Sequence, residues 1–196
     1  MCAAAPLRWV ACCLITWALV GCSSAPDPEE DWFRGGELKP TSVRTLQMTV
    51  RVLASKGDTA GAVQVARKML LEHPEAVESY AETAELLVAG GRYREAVDLL
   101  SAGLEVLPEN ALLCNNRGLC HLLLGDLQGA TSDFERAYQA DRYDADYVGN
   151  LALVRALAGG AEAEREARAL WARVLSEEAV EANLRQARKA RARFER

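Results

Sequence analysis

The chain repeats itself every 34 residues. Sliding the sequence by that step superimposes Gly57, Gly91 and Gly125, then Ala62, Ala96 and Ala130, then Pro74 and Pro108. A fixed period of this size marks a row of stacked helical units, none of which buries its apolar face alone. The clearest copies run from Val77 to Asn110 and from Ala111 to Asp144. In each, the glycine follows an apolar periodic run, where a left-handed residue ends a helix at little cost. Asp58 and Asp126 come directly after and can cap the next helix. Pro74 and Pro108 cannot continue a helical hydrogen-bond ladder, so they end the second helix. Ala84 and Gly118 are small enough to let the two helices of a pair approach, with Leu100 and Phe134 filling the layer between them.

Tyr80, Thr83, Ala84, Leu87, Ala96, Leu100, Gly103 and Pro108 in one copy, with Cys114, Arg117, Gly118, His121, Ala130, Phe134 and Ala137 in the next, resemble the signature of the tetratricopeptide (TPR) repeat. The resemblance implies an all-α fold, a solenoid of helical hairpins closed by a C-terminal capping helix. The array is expected over 41–178, in units of about 43–76, 77–110, 111–144 and 145–178, followed by a helix and basic tail over 179–196. Expected helices are 42–55, 59–72, 77–89, 93–106, 111–124, 127–140, 145–158, 162–175 and 177–193, with Thr41 capping the first. The fourth unit loses register after Gly159-Gly160. Glu164 stands where alanine belongs, and Ala167 with Trp171 fits better if about three residues are inserted.

Ahead of the array, Arg8 supplies a positive start and Trp9 to Val20 a short apolar run. That run is brief for a membrane span but suits a signal peptide. Residues 1–21 are therefore expected to be removed. The run ends in Leu19-Val20-Gly21-Cys22, which resembles the bacterial lipoprotein lipobox. The resemblance implies cleavage before Cys22 and acylation of that residue, with two or three acyl chains anchoring it stably to the bilayer. Ser23 after the cysteine resembles the outer-membrane pattern of diderm lipoproteins, so the chain is expected to be lipid-anchored in the bacterial envelope, facing the periplasm. Residues 22–40 read as the lipidated cysteine and a flexible tether rich in Pro, Gly, Ser and acid, reaching roughly 20–25 Å. Within it Trp32-Phe33 reads either as a cover for the first helix or as a short contact for a partner or the lipid interface.

The net charge of −5 supplies no basic field for nucleic acid. Six cysteines look like a disulfide framework, but removal of 1–21 leaves only Cys114 and Cys120 beyond the lipid-bearing Cys22. Those two lie six residues apart on one helix, a rise of about 9 Å, too far to pair with each other. The two histidines, His73 and His121, sit at a helix end and at a packing position of the repeat. The chain has no HExxH, phosphate-cradling glycine loop or CxxC. No enzyme activity, metal, cofactor or small-molecule substrate is expected. Six basic residues against one acid from Arg185 to Arg196 describe a solvated helix face or a contact with anionic lipid.

In TPR arrays the first helix of each pair lines the concave face. Carried onto this sequence, the resemblance gives Arg51, Glu85, Asn115, Leu119, Leu122, Leu123, Leu153 and Leu157 as the candidate partner-binding groove. The face grades from polar and basic to apolar, and lacks the lysine with which some TPR domains clamp a terminal carboxylate. Its leucines either form a strip for an amphipathic helix or extended apolar segment, or pack between repeats. Asn116 and Asn150 are expected to bond backbone between units. The architecture resembles small TPR lipoproteins that assist secretin or Tad-type pilus assembly, implying a non-enzymatic scaffold for protein partners. The alternative is an accessory factor for a peptidoglycan or other cell-envelope enzyme.

Overall fold

A computed structural model describes residues 41–194, with the side chains of residues 193 and 194 left aside. The expected signal segment, Cys22, the expected tether with Trp32-Phe33 and the last two residues lie outside the described residues. Among the described residues there are nine helices and no strand. They are α1 (Val43–Ser55), α2 (Thr59–Glu72), α3 (Val77–Ala89), α4 (Tyr93–Val106), α5 (Ala111–Leu123), α6 (Leu127–Ala140), α7 (Ala145–Ala158), α8 (Ala161–Trp171) and α9 (Glu177–Phe194). None is long and apolar enough to cross a membrane.

The punctuation acts as its chemistry dictates. Gly57, Gly91 and Gly125 take φ of 78°, 71° and 80°, the left-handed region that glycine enters without a Cβ penalty. The Asp58 and Asp126 carboxylates each accept the backbone N–H of the third residue on, at 2.9 Å, and so start α2 and α6. The first cap is Ser42 rather than Thr41: its Oγ accepts from Thr45 N–H at 3.3 Å. Thr41 stays outside the helix because its carbonyl accepts from His73 Nε2 at 2.6 Å. His73 thus ties the end of α2 to the start of the array.

Each odd-numbered helix packs on its hairpin partner and on the next odd-numbered helix, from α1 through α9. Ala62, Ala96 and Ala130 are fully buried where paired helices cross, with Leu100 and Phe134 buried beside them. The fourth hairpin follows the three-residue shift: Ala167 and Trp171 occupy the core while Glu164 reaches the surface of α9. Helix α8 stops at Trp171 instead of 175. The carbonyl of Trp171 accepts from both Val174 and Leu175, folding 172–175 into a tight turn that leads to α9.

Helix α9 stands where a further first helix would stand. Val180, Leu184 and Ala187 share a core with Ala152, Ala156, Leu157, Ala167 and Trp171. Its outer ties are ionic: Arg188 donates to both oxygens of Glu164, and Arg168 pairs with Glu181. Two residues of the basic tail, Arg188 and Arg191, are therefore drawn to one acid of α8, Glu164.

Candidate functional site

Two regions of the concave face differ in chemistry. Toward the N-terminus, Gln47 Nε2 and Arg51 Nε and Nη2 all donate to Glu82 Oε1, at 2.8, 2.9 and 2.6 Å. The Glu82 side chain is almost wholly buried while that of Arg51 is mostly exposed. Glu85 lies one turn further on. Burial raises its carboxyl above the usual range, the Glu82 charge adds to that, and Arg51 counteracts it. Arg51 is thus committed to an ion pair that joins α1 to α3.

Toward the C-terminus the face opens into a groove of about 870 Å³ between α5, α7 and α9. Leu122 forms one wall and Asp146, Gly149, Leu153 and Leu157 the floor. Trp171 and Leu175 also line it, and Asn183, Gln186 and Lys189 line it from α9. Apolar side chains with a few unpaired polar groups around them suit a protein segment that brings its own apolar side chains.

The leucines divide. Leu122 and Leu153 are part-buried and line the groove, while Leu157 is only 8% exposed because α9 packs over it. Leu119 packs into the core of Ala130, Phe134 and Leu151. Leu123 is 52% exposed and is not among the residues that line the groove. Asn115 is buried and accepts from Asn150 Nδ2 at 2.8 Å, so it joins α5 to α7. Asn150 bonds a side chain here, not the backbone expected of it, because the neighbouring helix presents Asn115 at the same level. The α9 wall is missing from the sequence-derived groove. Its signal lay in the phase of α9, since Val180, Leu184 and Ala187 facing inward turn Asn183, Gln186 and Ala190 toward the concave side.

Residues with chemical reactivity are engaged in structure. Cys114 and Cys120 are free and buried, and burial raises both thiols. His121 Nδ1 lies 2.9 Å from Asp126 Oδ2 and its Nε2 lies 3.8 Å from Asp133 Oδ2. Asp133 is held bidentately by Arg117, at 2.8 and 2.7 Å, and Arg117 also reaches Ser101. These groups knit α4, α5 and α6 together.

The stacked hairpins define a helical-repeat solenoid. The tetratricopeptide-repeat family model matches residues 48–105 and 81–145, and the chain belongs to that family, whose members are protein-interaction scaffolds. Its fold is similar to TTC0263, a thermophilic TPR protein of Thermus thermophilus (TM-score 0.62, 20% identity, 76% of this chain and 82% of that one). It is also similar to YrrB, a TPR protein with an unusual peptide-binding site (TM-score 0.56, 22% identity, 70% and 69%). The first TPR of Spaghetti (RPAP3), bound to an HSP90 peptide, matches over 59% of this chain and 93% of that one (TM-score 0.53, 16% identity).

Proposed function

We propose that the chain is a non-enzymatic scaffold of the bacterial envelope. Acylated Cys22 holds it at the outer membrane, facing the periplasm, and the groove between α5, α7 and α9 holds a segment of a protein partner. The partner belongs to an envelope assembly of the secretin or Tad-type pilus class. One observation carries the binding reading: an apolar groove of about 870 Å³ on the concave face, walled by a helix that the repeat itself does not supply. Peptide binding by the structurally similar YrrB and Spaghetti domains supports it. The lipobox at Leu19–Cys22 supports the anchor.

The test is a crosslinked pull-down of the full-length lipidated protein from its native membrane, beside Gly149→Trp and Cys22→Ala versions. A Cβ at Gly149 meets no atom within 4 Å, so a tryptophan there has room to fill the groove. Secretin or pilus components captured by the parent chain and lost with both variants are expected. Capture that survives Gly149→Trp removes the groove from the account. Identical capture without the anchor removes the lipid. Cell-wall enzymes in place of assembly components turn the assignment to an envelope-enzyme accessory.

A further inference from the structure

Gly149 lies inside α7 and, among the described residues, no contact explains it. At Gly103 an added Cβ would lie 2.8 Å from the Tyr80 ring, and at Gly118 2.8 Å from the Phe134 ring. At Gly61 and Gly129 it would run into the capping carboxylates of Asp58 and Asp126. At Gly149 it would meet nothing. Glycine within a helix is less stable than alanine, and its use is to let another backbone come close. The open space above Gly149 is the groove itself.

The wall beside it carries two amides. Among the described residues no hydrogen bond engages the side chain of Asn183 or Gln186. Each offers both donors and an acceptor. A bound helix has satisfied its own main chain and needs neither. An extended segment brings orphan N–H and C=O groups that need both.

The two charges of the groove sit at opposite ends. Asp146 is in the first turn of α7. Arg191 packs against Gly159 just beyond the last turn of α7, so α9 runs parallel to α7 and places Lys189 near the level of Leu157. From residue 146 to residue 157 a helix rises roughly 16 Å, which an extended chain covers in about five residues.

We infer that the groove takes an extended segment of about five residues whose main chain passes over Gly149 between the Asn183 and Gln186 amides, with a basic residue toward Asp146 and an acidic residue toward Lys189. This rests on the groove being the binding site proposed above.

The probes are synthetic, end-blocked seven-residue peptides with an alternating leucine-alanine core. One is flanked by a lysine and a glutamate, one by two lysines and one by two glutamates. A fourth copies the first with its central amide N-methylated. Binding to the full-length protein in detergent micelles is measured by calorimetry. The mixed-charge peptide is expected to bind about tenfold tighter than either like-charged one, a difference of about 1.4 kcal/mol. Lys189→Glu should shift the preference to the two-lysine peptide, and Asp146→Lys to the two-glutamate peptide. N-methylation and Gly149→Ala should each cost about tenfold, and Gly149→Ala should do so while raising Tm. Equal affinity for the three flanks overturns the charge order, and tolerance of N-methylation overturns the extended main chain. If no peptide binds while Gly149→Trp abolishes partner capture, this inference falls and the scaffold reading stands. Capture that persists in Gly149→Trp defeats the scaffold reading at its groove.

Discussion

The Phe134 ring packs so closely on Gly118 that a Cβ at residue 118 would lie 2.8 Å from ring atom Cε1. Phe134 is fully buried and has no room to withdraw. Gly118→Ala is therefore expected to cost about 1–3 kcal/mol despite the better helix propensity of alanine. Gly149→Ala, in open space, should gain about 0.5–1 kcal/mol. Urea denaturation midpoints of the two variants should move in opposite directions, and a shift of the same sign would contradict the packing described.

Arg117 and Asp133 form a part-buried pair, with the Asp133 side chain only 3% exposed. Arg117→Met leaves that carboxylate buried with Arg136, at 3.9 Å, as its remaining cationic neighbour and the His121 ring at 3.8 Å. A loss of about 3 kcal/mol is expected, because a buried charge deprived of its partner keeps its desolvation cost. Adding Asp133→Asn should recover part of it. A double variant as unstable as the single one would show that the pair is not the source of the loss.

Glu85 and Glu164 should respond to pH in opposite senses. The Glu85 carboxyl is raised, first by burial and then by Glu82. Its stabilising form is the protonated one, fully present below the unfolded-state value and lost as pH rises through the folded-state value. The Glu164 carboxyl is lowered, first by the hydrogen bond from Arg188 and further by the Arg188 and Arg191 charges. Its contribution is present above the unfolded-state value and is lost as pH falls through the folded-state value. Denaturation midpoints near about pH 7 should therefore rise for Glu85→Gln and fall for Glu164→Gln, with both differences shrinking toward about pH 3.

Leu122 and Leu123 are adjacent but unequal. Leu122 packs against two cores, around Trp171 and around Phe134, whereas Leu123 is half exposed. Leu123→Glu should leave circular dichroism and Tm nearly unchanged. Leu122→Glu should lower Tm by several degrees, since about 1 kcal/mol moves a domain of this size by roughly 2–4 °C. Equal tolerance of the two would contradict the placement of Leu122.

Helix limits were legible because their causes are local. A glycine that can turn left-handed, an aspartate that caps and a proline that breaks act within a few residues. α2, α3, α4, α6 and α7 accordingly have the limits read from the sequence. Even the slip in the fourth unit was readable, because Ala167 and Trp171 keep their own spacing. The first cap was misplaced by one residue because Thr41 is claimed by His73, 32 residues away. The α7 residues that line the groove follow from the repeat pattern, whereas along α9 the helix phase was the one signal. The repeat pattern specifies which face of α7 looks inward, but no repeat describes the helix that stands opposite.

The 34-residue period in apolar and turn residues dictates an array of TPR hairpins, since it leaves stacking as the way to bury each face. Tertiary structure alone decided which concave residues remain open. Arg51 is drawn to Glu82, Asn115 to Asn150 and Leu157 beneath α9. These pairings join residues about thirty or more positions apart. They depend on how neighbouring helices meet in space, so no local pattern encodes them.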